Sequence, residues 1–218
     1  MPRNQIETLY DNPVNFINQC IKQPSLEGLI DFNLLPFQEE MVNKFHNNKM
    51  NICSAQRLTG KSSIPLYYLL YQTIFNEFSN IFIGSYKRNI SINLLEQLKN
   101  AYSCIDNLYY KNVSIPLPRI IKSNKQDFEL DNGSRIIASN IGRHSICGQA
   151  FSNIFLDEFA LVPYNNAKNF IDVLYPIVYA TKTTKLIITS TRSPGSYFNV
   201  LLNDANNGRN NFVVSEFD

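Results

Sequence analysis

Two short stretches hold side chains whose types and spacing could do chemistry. In Met50–Ser63, MNICSAQRLTGKSS, a short apolar run leads into an irregular loop and then into Gly60-Lys61-Ser62, which opens a long apolar segment. That order reads as strand, phosphate-cradling loop and helix, with successive backbone N–H groups turned toward a polyphosphate above a helix N-terminus. Lys61 would reach the β- and γ-phosphates, and the Ser62 hydroxyl would sit on Mg2+. The loop runs through Ala55, Gln56, Arg57, Leu58, Thr59, Gly60, Lys61, Ser62 and Ser63, and it carries Ala55 where a glycine usually opens the pattern. The second stretch, SNIFLDE at Ser152–Glu158, ends an apolar run in two adjacent acids. Two carboxylates at one strand tip repel each other, and a bound Mg2+ relieves that cost. Asp157 would then hold the metal through water, while Glu158 orients and deprotonates an attacking water.

Two further groups are more ambiguous. KLIITST, Lys185–Thr191, is an apolar strand ending in small hydroxyls. Thr189, Ser190 and Thr191 are either a polar strand end or sensors of a γ-phosphate. Gln38 stands 23 positions before Lys61, at the start of a helical stretch. It is either a solvated polar residue or, through its paired donor and acceptor, a reader of an adenine edge.

These groups need elements to position them. Phe16, Ile17, Cys20 and Ile21 give a packing helix over Asn15–Lys22, and Gly28–Gln38 is extended and closed by Pro36. Phe37, Met41, Val42 and Phe45 share one helical face. After the loop, Ile64–Phe78 fits a buried helix, with Pro65 distorting its start. Asn80–Ser85 is a strand and Ile90–Tyr102 a helix, so strand and helix alternate as in a mainly parallel sheet. Between Ile115 and Asn140 the dipeptide Asn132-Gly133 predicts a hairpin, because both residues tolerate positive φ. Arg119, Lys122, Lys125 and Arg135 gather there, as a solvated face or as phosphate-backbone contacts. The stretch Asn203–Asp218 is polar apart from Phe212-Val213-Val214 and holds no complete second domain.

Bulk properties narrow the class. A chain of 218 residues can bury one substantial α/β core. The formal charge of +2, from 20 basic and 18 acidic residues, writes no strong polyanion footprint, so nucleic-acid contact must be local or supplied by another domain. Cys20, Cys53, Cys104 and Cys147 are widely spaced without a Cys-x-x-Cys pair, which points to reduced thiols and away from a metal cluster. The N-terminal stretch lacks a signal-peptide core and no apolar run approaches transmembrane length, so a soluble intracellular domain is expected.

Taken in order, FNLLPFQ, SAQRLTGKSS, SNIFLDEFALVP and IITSTRSPGSYF resemble the ATPase domain of the large terminase subunit of tailed bacteriophages, the motor that packages DNA into the capsid. NPVNFINQCIK…LEGLIDFNLLPFQEEMV is similar to the lid-forming N-terminal segment of that family, and FELDNGSRIIASN…GQAFSNIFLDEFALVP to its run into the metal-binding acid pair. The likeness covers nearly the whole chain. It implies an α/β P-loop NTPase of the RecA/ASCE-like class, with a mainly parallel sheet flanked by helices and a β-hairpin insertion. A small lid subdomain would occupy residues 1–48 and the ATPase core residues 49–218.

The resemblance implies ATP and Mg2+ as cofactors. It places Gln38 at adenine, Lys61 and Ser62 at phosphate and Mg2+, Asp157 at the metal and Glu158 as the catalytic carboxylate. Thr189, Ser190 and Thr191 fall in the motif that couples hydrolysis to movement. Arg57 matches a loop arginine set against transition-state charge, where a planar guanidinium offers paired donors. Arg143 is a candidate to reach a neighbouring subunit's nucleotide. Cys147-Gly148 departs from the family, which commonly has an arginine beside that glycine. Expected partners are double-stranded DNA, the portal protein, the small terminase subunit and further copies forming a ring on the portal, with no membrane. The expected location is the host cytoplasm, docked on the procapsid. The family's ribonuclease-H-type nuclease lies beyond this stretch, so no DNA cleavage is expected of it. Two alternatives stand beside this one. One is a helicase-like ATPase of superfamily two, which needs a second RecA-like domain; the other is a degenerate nucleotide-binding module used for assembly.

Overall fold

The computed structural model describes residues 12–25, 28–105, 108–110, 113–142, 145–146 and 148–217. In chain order they form helix α1 (Pro13–Cys20), strands β1 (Lys22–Ser25) and β2 (Gly28–Asp31), helix α2 (Pro36–Asn47), strand β3 (Met50–Ala55), helix α3 (Ser63–Phe75), strand β4 (Asn80–Ser85) and helix α4 (Arg88–Ser103). Strands β5 (Leu108–Tyr110), β6 (Val113–Ile115), β7 (Ile120–Ser123), β8 (Asp127–Leu130), β9 (Arg135–Asn140) and β10 (Asn153–Asp157) follow. After a 3-10 turn at Phe159–Leu161 come helix α5 (Tyr164–Ala180), strand β11 (Lys185–Ser190), helix α6 (Tyr197–Asn206) and strand β12 (Val213–Phe217).

Eight strands build one sheet in the order β12-β3-β11-β10-β4-β9-β8-β7. Every neighbouring pair from β12 to β9 is parallel, and β8 and β7 continue the sheet antiparallel. Side chains alternate between two apolar layers, as the two-residue period of a strand requires. Cys53, Ile81, Ile83, Phe155 and Ile187 join a core with α1, α2, α3 and α4. Met50, Ile52, Phe82, Ile154, Leu156, Leu186 and Ile188 join another with α5 and α6. Both faces are covered, which is why these strands read as continuous apolar runs.

The N-terminal segment shares the first of these cores: Phe16 and Ile17 of α1 and Met41, Val42 and Phe45 of α2 are fully buried in it beside α3. The Asn12 side chain caps α1, accepting from the backbone N–H groups of Val14 and Asn15. Helix α1 therefore begins at Pro13, ahead of the periodic apolar residues, and gives way to extended backbone at Ile21. Helix α3 starts at Ser63 and keeps its first hydrogen bond, Ile64 N–H to the Gly60 carbonyl at 2.9 Å. Pro65 sits in the first turn, where a missing N–H removes no intrahelical bond. Burial pushes the Cys53 thiol up to about 12 and the Cys20 thiol up to about 11, so neither is poised to react. Among the described residues no helix is long and apolar enough to cross a membrane.

The Asn132-Gly133 turn joins β8 to β9 as the dipeptide foretold, and the hairpin is continuous with the main sheet because β9 pairs in parallel with β4. Three of its four basic residues are matched by acids: Arg119 with Asp131, Lys122 with Glu129, and Arg135 with Asp127 and Glu129. That is an ion-paired, solvated face whose individual pairs contribute roughly 0–1 kcal/mol each. The turn is tied to α3 through Asn132 Nδ2, which donates to the Thr73 carbonyl at 2.9 Å. Gly133 has φ +81°, and a Cβ there would lie 2.4 Å from the Phe78 ring. Gly133→Ala is therefore expected to destabilise the fold by about 1–3 kcal/mol in urea denaturation. Part of that loss should return in a Phe78→Ala background, which removes the clash but not the strained φ.

Candidate functional site

Parallel register brings the C-terminal ends of β3, β11 and β10 side by side, with Ser190 opposite Ser54 and Leu156 opposite Ile188. Strand β11 lies between the loop strand and the acid strand. Ala55 is the last residue of β3, in extended backbone, so a glycine is not required where the usual pattern has one. The loop that follows does need conformational freedom: Gly60 has φ +87°, and a Cβ there would meet Gln38 Nε2 at 2.9 Å. Leu58 also has positive φ, 67°, and its side chain stands fully exposed at the loop tip. The loop is braced by the Thr59 hydroxyl donating to the Gln56 carbonyl at 2.9 Å and by Gln38 Nε2 donating to the Thr59 carbonyl at 3.0 Å.

Asp157 and Ser62 meet at the floor of the site. The Ser62 hydroxyl lies 2.9 Å from Asp157 Oδ1 and 3.1 Å from Oδ2, and the Thr189 hydroxyl donates to Oδ1 at 2.7 Å. The Asp157 peptide carbonyl accepts from the Ser85 hydroxyl at 3.0 Å. Burial holds the Asp157 carboxyl above the ordinary aspartate range; the bonds from Thr189 and Ser62 pull it back, Glu158 pushes it up and Lys61 draws it down. Glu158 turns out of the strand with φ 50° and ψ 43°, left-handed backbone that costs a side-chain-bearing residue about 1–2 kcal/mol. Its Oε1 sits 3.0 Å from Lys61 Nζ, and its Oε2 accepts from the Ser190 hydroxyl at 3.5 Å. The Ala160 N–H donates in turn to Ser190 Oγ at 3.1 Å.

Above these groups opens a cavity of about 690 Å3. Lys61, Ser62, Asp157, Glu158, Arg57, Leu58, Ser190 and Thr191 all line it. The structure thus gathers the loop, the acid pair and the hydroxyl strand end around one space. Thr189 stands apart, fully buried behind Asp157. Gln38 is buried rather than solvated, with Oε1 accepting from the Leu35 N–H at 3.0 Å and Nε2 on the loop. The Thr191 hydroxyl donates to the Ala55 carbonyl at 3.3 Å. Ser63 begins α3 and lines a separate cavity of about 380 Å3 beside α4. Arg143 and Cys147 lie outside the described residues. The far wall was not foreseen: Tyr86, Asn93 and Gln97 line the cavity, the last two one helical turn apart on α4, a spacing the sequence carried without any sign of its use. Arg192 lines the rim as well and is ion-paired with Glu216 of β12.

Among the described residues no cluster of three or more His, Cys, Asp or Glu side chains could cage a metal. Mg2+ does not need one, since it is commonly held through one or two protein oxygens together with phosphate and water oxygens. A serine hydroxyl within 2.9 Å of a buried carboxylate is such a donor set, so the residues present fit the ion.

The family model for the terminase large subunit, T4-like-virus type, N-terminal region, matches residues 52–217. The chain belongs to that large terminase family. The crystal structure of the HK97 bacteriophage large terminase superposes with a TM-score of 0.72 at 19% identity, over 96% of this chain and 44% of that one. The large terminase of a thermophilic bacteriophage, in complex with ATP-γ-S, gives 0.62 at 13% identity, over 84% of this chain and 44% of that one. The large terminase ATPase domain of Thermus phage P74-26 gives 0.58 at 13% identity, over 85% of this chain and 81% of that one. This terminase chain therefore spans less than half the length of the first two of these proteins, and most of the length of the Thermus phage domain.

The buried acid of this terminase site has a measurable cost. Because the folded protein holds the Asp157 proton to higher pH than the unfolded chain does, stability falls as pH rises above the ordinary aspartate value of 3.8. Asp157→Asn should be at least as thermally stable as the wild-type protein at neutral pH. Its advantage should grow from pH 4 to pH 7 in melting curves recorded without nucleotide or metal.

Proposed function

We propose that this chain is the ATP-hydrolysing motor domain of a viral DNA-packaging terminase, driving double-stranded DNA into the procapsid. The observation that carries the reading is the meeting of Lys61 with Glu158 and of Ser62 with Asp157 in the lining of one cavity, across about a hundred residues of chain. The Gly60 loop and the start of α3 suit a triphosphate, because a helix N-terminus takes anions on its backbone N–H groups and the Lys61 ammonium adds charge. An arriving phosphate competes with Glu158 for that ammonium, which frees the carboxylate to face water. Ser62 and Asp157 would hold Mg2+, which when bound neutralises charge on the phosphate oxygens. Glu158 takes the proton of the attacking water, and Arg57 offers its guanidinium to the charge that develops on the transferred group. Beyond that proton transfer, the protein's contribution is positioning and charge stabilisation, as in phosphoryl transfer generally.

Hydrolysis connects to movement at two points. Ser190 touches Glu158 and the Ala160 backbone, so a change at the acid reaches the 3-10 turn and α5. Gln38 ties the start of α2 to the loop, which supports a role for the segment of residues 1–48 as a lid that follows the nucleotide, with the adenine read beside it. The portal protein, the small terminase subunit and further copies of this chain in a ring are the partners this reading implies, in the host cytoplasm on the procapsid.

Glu158→Gln keeps the shape and the Ser190 contact while removing the base. It should bind a fluorescent ATP analogue within about threefold of wild type and lose about 10²–10⁴-fold in turnover. Normal hydrolysis by Glu158→Gln, measured as phosphate release, would defeat the assignment. Loss of nucleotide binding in Lys61→Ala, with the melting temperature kept, is the companion result expected of the loop.

A further inference from the structure

We propose that Thr189 is the positioning residue of the metal-holding acid: its buried hydroxyl fixes the Asp157 carboxylate so that Oδ2 is presented beside Ser62. The inference rests on the reading of the cavity as an ATP·Mg2+ site and gives one residue of it a different task from γ-phosphate sensing. Parallel pairing sets Leu156 opposite Ile188, so the next residues along, Asp157 and Thr189, stand side by side at the strand ends. Both project from the sheet face that carries Phe155 and Ile187, the face on which α3 packs. Ser190, one position further, falls on the other parity and reaches Glu158 instead. Adjacent hydroxyls of one strand thus serve the acid that ends its neighbour and the acid just beyond that end.

The contact is the shortest that the Asp157 carboxylate makes among the described residues, 2.7 Å against 2.9 and 3.1 Å for Ser62. Thr189 is 0% exposed, so its hydroxyl has no water to turn to and the carboxylate satisfies it. A β-branched residue in a strand has a stiff χ1, and the donor is held in place at little entropic cost. Oδ1 receives both Thr189 and the closer Ser62 contact, whereas Oδ2 has the 3.1 Å contact alone among the described residues and so keeps the larger share of free acceptor capacity. The peptide of Asp157 is pinned from the opposite strand by Ser85, also fully buried, so the acid is fixed at both its backbone and its side chain. Groups that orient a metal ligand from behind commonly change metal affinity 10–100-fold when removed.

The test separates a donor from a space-filler. Thr189→Val keeps the shape and loses the hydroxyl; Thr189→Ser keeps the hydroxyl and loses a methyl. With the 218-residue chain, binding of a fluorescent ADP analogue is followed by anisotropy as Mg2+ is titrated, and repeated in EDTA. Thr189→Val should raise the Mg2+ concentration at half-saturation at least about tenfold while leaving the EDTA affinity within about twofold, and Thr189→Ser should match wild type. If Val behaves as wild type, or if Ser is impaired as much as Val, Thr189 only fills space and the inference falls. Should Thr189→Val not fold, Thr189→Ala is scored against Thr189→Ser by the same criterion. A wild-type protein that shows no Mg2+-dependent nucleotide binding would bring down the site reading along with this one, whereas an intact wild-type response with an unchanged Val variant defeats the Thr189 role alone.

Discussion

A single hydroxyl-to-carboxylate contact joins the two halves of the chemistry. Ser62 belongs to the loop that opens α3, and Asp157 ends a strand 95 residues later. Neither group could be held in place by its own element, because a loop hydroxyl rotates and a strand-tip acid prefers water. Their contact depends on β11 being inserted between β3 and β10, which sets the spacing of the strand ends, and on α3 crossing the face where Asp157 projects. The apolar layers on both sides of the sheet exist, in this sense, to keep two oxygen atoms within hydrogen-bonding distance.

The charges around that contact are balanced rather than abundant. Lys61 is nearly buried and faces Glu158, while the adjacent Asp157 is served by neutral hydroxyls. Two neighbouring acids are thereby given different surroundings, one cationic and partly open, the other polar and closed. Such a division of environment is what lets a pair of like residues take distinct tasks. The chain's small net charge is consistent with this economy, since the site's electrostatics are local.

Much of this was legible before any coordinates. The strands around the loop and the acids announced themselves as unbroken apolar runs, and Asn132-Gly133 marked its hairpin through backbone chemistry alone. The loop, the acid pair and the hydroxyl strand end were found by residue type and order. Helix α5 was not, because Pro176 lies in its interior and a proline there argues against a helix. Helix α6, YFNVLLNDAN, is rich in poor helix formers and is started by a Ser196 cap that only coordinates reveal. Strand β12 looked like a polar tail with one apolar run, since an edge strand needs little hydrophobicity once β3 supplies its partner. The division of labour between Thr189 and Ser190 was hidden for a similar reason: adjacent residues of a strand point to opposite faces, and only register says what each face meets.

If Glu158 is the base we propose, its left-handed backbone sets stability against chemistry at a single codon. Glycine or asparagine would sit more comfortably at φ 50°, yet neither could take the proton. A population of variants enriched purely for heat tolerance should drift toward those residues at this position, while selection for turnover would hold the glutamate against the strain. Residue choice at 158 would thus report which of the two pressures a lineage has experienced.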